Sequence, residues 1–197
     1  MTTEQPSQER ILQAAVKLFL EQSVRKTSAE EVAFQAGVTR VTVYRYFTDK
    51  KGLVGAVCSR IASIFQRAAD DSRGRSIDEI DACLNRLGTE LGALAPGNLF
   101  ALFDEIHRLY PEVYEEFRAA RESAIDAIFQ QSLAAAKRDG SLRRGLNQEV
   151  VRAIFLSGVV RLIETPSLIS PDVAPAEIVA TVTMVFRHGI LKDKPAG

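Results

Sequence analysis

At 197 residues, 46% of them hydrophobic and 25% charged, the chain suits one large domain or a small module joined to a larger one, and its composition argues against disorder. Lys and Arg number 25 and so do Asp and Glu, which excludes a generally basic nucleic-acid binder: any such binding has to come from a local patch. Cys58 and Cys83 come without a CxxC or Cys/His cluster, against a zinc site or disulfide framework, and the polar start "MTTEQPSQER" and the arginine-broken "VVRAIFLSGVVRLI" predict a soluble, cytoplasmic chain with no membrane partner.

Apolar residues recur at helical spacing along almost the whole sequence, so the expected fold class is all-α. Ile11, Ala15, Leu18 and Phe19 make the buried stripe of a first helix from about Gln8 to Gln22. Ser28 and Glu31 form a capping box that starts a second helix, whose buried face is Val32, Ala33 and Ala36. Gly37 follows where a left-handed residue has to end that helix. Thr39 then caps a third helix running to about Tyr46, with Val43 and Phe47 closing onto the first two. Helix, glycine turn and helix together read as a helix-turn-helix.

The rest of the third helix has too few apolar partners inside so small a head. Between Gly37 and Lys51 four cations, Arg40, Arg45, Lys50 and Lys51, stand against the single carboxylate of Asp49, and this is the local basic patch. A helix lying in the major groove needs short hydroxyl or apolar groups toward base edges and longer polar ones toward phosphates. Arg40, Val41 and Thr42 suit bases, while Tyr44, Tyr46 and Lys50 suit phosphates. Two tyrosines near arginines also fit a plain solvated surface. The capping box, the glycine turn and the stripe of the first helix favour DNA.

The stretch "RILQAAVKLFLEQ…KTSAEEVAFQAGVTRVTVYRYFTDKKGLVGAV", about residues 8 to 57, resembles the N-terminal domain of the tetracycline-repressor (TetR) family of transcriptional regulators. The resemblance implies that Ser28, Thr39, Arg40, Val41, Thr42, Tyr44, Arg45, Tyr46 and Lys50 touch double-stranded operator DNA. It also implies a homodimer that leaves its operator on binding a small-molecule effector. Three positions depart from the family's common pattern: Ser23 and Val41, where glycine or another small residue is frequent, and Tyr46, where histidine is. The last two would meet the DNA, so operator sequences of relatives do not carry over.

Residues 1–49 are thus read as the DNA-binding domain, and residues 50–197 as a helical ligand-binding and dimerisation domain. A fourth helix is expected from Lys50 to about Asp70, then one capped by Ser76, with Pro96-Gly97 ending the connection after it. "NLFALFDEIHRLY" is a further helix, and Pro111 opens a long one to about Arg138. The final helices, about Gln148 to Glu164 and Pro175 to Leu191, are apolar nearly all round. A monomer's core helices would satisfy that pattern; with the TetR resemblance it points to a dimer interface.

Phe65, Phe103, His107, Tyr114 and Phe155 are candidates to line an effector cavity, although most such aromatics serve as core and His107 alone is a weak signal. The fourth helix, touching both the head and Phe65, is the expected coupling element. No Ser/His/Asp arrangement, phosphate loop or metal-ligand spacing supports an enzyme, and no cofactor is called for. The remaining alternative is a helical protein-interaction adaptor without a DNA role.

Overall fold

The computed structural model describes residues 7–94, 99–170 and 172–192. Among these residues the chain forms nine α-helices and no strand: α1 Ser7–Gln22, α2 Ala29–Ala36, α3 Arg40–Phe47, α4 Lys50–Asp71, α5 Ile77–Leu94, α6 Leu99–Leu109, α7 Pro111–Arg138, α8 Gln148–Glu164 and α9 Pro175–Ile190. The all-α expectation holds, with ends displaced by a residue here and there; Pro96-Gly97 lies outside the described residues. No helix of the described residues is long and apolar enough to cross a membrane.

The head is built by the local signals. Ser28 accepts the Glu31 amide through its hydroxyl at 3.2 Å, and the Glu31 carboxylate accepts the Ser28 amide at 2.7 Å. The Ser28 amide, and then the Ser28 hydroxyl that donates to the same carboxylate at 2.8 Å, hold the Glu31 carboxyl below the usual carboxylate range. Gly37 ends α2 at φ +64°, and the Val38 amide donates back to the Ala33 carbonyl at 2.9 Å. Thr39 caps α3 by accepting the Thr42 amide at 3.1 Å. Ile11, Ala15 and Phe19 are buried as the stripe requires, while Leu18 is half-buried. Leu12, Ala14 and Val16 are buried as well, because α1 packs against α2 and α4 together and needs a wider apolar arc than one partner would.

Helix α4 carries the head onto the body. It buries Leu53, Val54, Val57, Ile61, Ile64 and Phe65, mostly against α7. Arg60 forks onto Glu9 of α1 at 2.7 and 2.8 Å, and Lys51 meets Glu112 of α7 at 2.6 Å. Its start is fixed by a close backbone approach: a Cβ on Gly52 would stand 2.1 Å from the Phe47 carbonyl oxygen at the end of α3. Glycine there lets α3 and α4 meet at a sharp corner. In the body, Ser76 and Glu79 form a second capping box at the start of α5. Helix α5 approaches α9 so closely that a Cβ on Gly88 would lie 2.8 Å from the Ala176 Cα.

The last two helices differ from the others. Within the protomer α8 has no buried residue and α9 has Ile190 alone. Val150 and Ile154 on α8 are 53% and 64% exposed, and Met184 and Val185 on α9 are 56% and 63% exposed. One side of each helix packs on the body; the other carries apolar side chains that the protomer leaves uncovered.

Candidate nucleic-acid interface and adjoining cavity

Helix α3 has two faces with separate tasks. Val43 and Phe47, four residues apart, are buried and anchor it to the head. Val41 is 77% exposed on the opposite side, and Thr39, Arg40, Arg45 and Tyr46 are exposed with it. Thr42 and Tyr44 are half-buried at the border. Val41 has no packing role that would account for so exposed a branched side chain in the first turn of the helix.

The charged groups around α3 are held, not loose. Arg40 pairs with Glu30 of α2 at 2.6 Å and lies over the Tyr44 ring at 5.3 Å; Arg45 lies over Tyr46 at 5.5 Å. The Thr39 and Thr42 hydroxyls are 2.9 Å apart. Lys50, at the start of α4, donates to the Arg25 carbonyl at 3.2 Å. Burial draws its ammonium below the usual lysine range, opposed by the carboxylates of Glu105 and Glu31. Lys50 therefore closes a ring with the α1–α2 turn, and the exposed Arg25 and Lys26 of that turn extend the basic patch toward the N-terminus of α2. Sequence reasoning passed over these two. Their signal was the pair "RK" directly ahead of the capping box.

Behind the head, α4 to α9 line a partly open apolar cavity of about 160 Å³. Phe65, Phe103 and Phe155 line it, together with Leu87, Ile125, Phe129, Val179 and Phe186 among others. Its polar lining is Asp81 of α5, Ser132 of α7 and Thr183 and Arg187 of α9. Arg187 is paired there with both Asp81 and Asp78. Burial pushes the Asp81 carboxyl up, with Arg187 pulling the other way. His107 and Tyr114, also named as candidates, do not line this cavity. Tyr114 is buried beside Phe117, and the exposed His107 stacks on it at 4.5 Å; His107 shares the side of α6 that carries Phe103 but lies one turn further on, at the exposed end of the helix and past the cavity.

Helix α6 joins the two regions. Phe103 stands on the cavity, and two residues later the Glu105 carboxylate accepts the amides of Val24 and Arg25 in the α1–α2 turn at 2.7 and 3.1 Å. The fourth helix was the expected link. It is one link, through Phe65 and Lys50, but α6 is the element whose carboxylate holds the head by hydrogen bonds.

Residues 11–57 match the family described as bacterial regulatory proteins, tetR family. An HTH-type transcriptional regulator of Mycobacterium bovis is 28% identical over 151 residues, 75% of each chain. The HTH-type transcriptional regulator EthR of Mycolicibacterium smegmatis is 25% identical over 201 residues, covering 95% of this chain and 87% of its own. Among solved structures, the complex of SmeT with triclosan superposes with a TM-score of 0.66 at 21% identity, covering 96% of this chain and 93% of that one; SmeT is the repressor of the Stenotrophomonas maltophilia multidrug efflux pump SmeDEF. That likeness spans the body as well as the head, and so shows a common fold for both. A capped, glycine-turned helix-turn-helix lies inside the segment that matches the tetR-family regulatory proteins, residues 11–57, and the helical body behind it has the same fold as SmeT.

Proposed function

We propose that the chain represses transcription by binding a palindromic operator as a homodimer in the cytoplasm, and that a small apolar or amphipathic molecule in the cavity releases it. The activity is binding, not catalysis. The observation that carries the DNA reading is the outward face of α3, where Val41 is 77% exposed between Arg40 and Thr42 and the base of the helix is fixed by Val43 and Phe47. Ser28, Thr39, Arg40, Val41, Thr42, Tyr44, Arg45, Tyr46 and Lys50 are the proposed contacts: Arg40, Val41 and Thr42 toward base edges, the others toward phosphates.

Support for the homodimer comes from the apolar side chains of α8 and α9 that one protomer leaves uncovered. Effector control is supported by the apolar cavity and by α6, which touches the cavity through Phe103 and the head through Glu105. Residues 1–49 are proposed as the reading domain and residues 50–197 as the sensing and pairing domain, with one buried core running through α1 to α7 across that boundary.

Binding to duplex DNA measured across a range of salt concentrations tests this function against the adaptor alternative. Phosphate contacts predict affinity that falls linearly and steeply in the logarithm of salt. No measurable duplex binding at low salt would overturn the reading.

A further inference from the structure

Arg121 lies in the middle of α7 and is completely buried, with 0% of its surface exposed. Its Nε, Nη1 and Nη2 atoms meet no partner at full hydrogen-bond geometry; the Tyr114 hydroxyl stands beside it, pushed up by burial while the guanidinium pulls the other way. Its nearest countercharge is Glu164, on the last turn of α8, at 3.9 Å. Its planar faces are covered by aromatic rings, Phe117 at 5.1 Å and Phe103 at 5.7 Å from Cζ. An arginine stays charged at any physiological pH, and burying it without full hydrogen bonds costs several kcal/mol, on the order of the desolvation penalty of an ion. Glu164 and the two rings offset only part of that cost. An apolar side chain of similar length would fill the same space.

The guanidinium is separated from the cavity by single side chains. Phe103 covers it on one side and lines the cavity on the other. Ile125, one turn further along the same face of α7, lines the cavity too, as does Ile163, the neighbour of Glu164. A molecule in the cavity would reach the guanidinium only by moving Phe103 aside. Glu164, a third exposed, is free to turn toward solvent as a new anion arrives.

We propose that Arg121 is the anion-recognition group of the cavity and that the effector is an apolar carboxylate, its tail among the phenylalanines and its head forked onto the guanidinium. This rests on the effector-cavity reading given above and names the chemical class that reading leaves open. The planar fork of arginine matches a carboxylate with two parallel hydrogen bonds, and at a buried group those bonds are stronger than at a surface. Binding would give full hydrogen bonds to donors that lack them in the free protein, and it would displace Phe103, two residues from the carboxylate that holds the α1–α2 turn.

The test compares octanoate with octanol by calorimetry on the full-length protein and on Arg121→Met. Wild type is expected to bind octanoate at least about tenfold more tightly than octanol, which is about 1.4 kcal/mol. Arg121→Met should lose that preference, keep octanol binding, and show an unchanged or raised Tm without ligand, as expected when a buried ion is replaced by packed apolar volume. If Arg121→Met does not fold, Arg121→Lys, which keeps the charge and loses the fork, should weaken octanoate severalfold and leave octanol unchanged. Equal affinity for the two probes in wild type, or a carboxylate preference that survives either substitution, overturns the proposal and leaves the cavity reading intact. Failure of both probes to bind overturns the cavity reading as well.

Discussion

Within the proposed interface, single residues are expected to divide into readers and grippers. Arg40→Ala is expected to relax preference at one base position by about 1–3 kcal/mol, and Lys50→Ala to weaken all duplexes alike and lower the salt slope by about one. Parallel titrations of a specific and a scrambled duplex check this, since equal losses on both for Arg40→Ala would refute its reading role. Ser23 poses a different residue-scale question: it sits at φ +89° at the end of α1, where an L side chain is strained. Ser23→Gly is expected to raise stability by about 1 kcal/mol, the relieved strain exceeding the entropy that glycine brings to the unfolded chain. Urea unfolding at constant m would show it. Ser23 stood out in the sequence because relatives so often have glycine there. Gly52 did not, because its need arises from the Phe47 carbonyl, an atom that every residue has.

Among the elements, the head was legible and the sensing parts were not. The caps at Ser28, Thr39 and Ser76, the glycine stop at Gly37 and the proline start at Pro111 act within one turn of chain, so their residues announce them. The clamp of Glu105 on the Arg25 amide joins atoms eighty residues apart, and no local pattern encodes it. Arg121 lies between these cases. With Tyr114, Phe117, Ala124, Ile125 and Ile128 it shares the buried stripe of α7, so a cation on an apolar stripe was there to be noticed. Helical spacing of aromatics alone points to His107 and Tyr114, yet they stack on each other at the α6–α7 junction, one turn past Phe103 and off the cavity. Helices α8 and α9 carry their own prediction. Ile154→Glu and Val185→Glu place a charge on faces exposed in the protomer, so the fold should persist while the dimer dissociates. Sedimentation together with circular dichroism separates those outcomes, and a variant that stays dimeric would move the interface elsewhere.

Across the whole molecule, α4 and α6 connect the cavity to the proposed DNA-reading surface. A ligand that displaces Phe103 changes the support under the Val24 and Arg25 amides, and a coupling of about 1–3 kcal/mol would shift operator affinity about 5- to 150-fold. Glu105→Ala removes that support. It is expected to cost about 1–3 kcal/mol of stability, because the buried Val24 amide loses a charged acceptor, and to shrink the ligand's effect on operator affinity. Anisotropy titrations with and without ligand on both proteins would check it; an undiminished effect would assign the coupling to α4 alone.

The central claim is that two copies of this chain read a symmetric DNA sequence through α3. Selection of bound duplexes from a random pool by the purified protein tests it most directly. The account predicts enrichment of one inverted repeat, with half-site centres about one helical turn or a small multiple of it apart, and loss of that enrichment on Arg40→Ala. A pool that stays random, or a winner without two-fold symmetry, would contradict it.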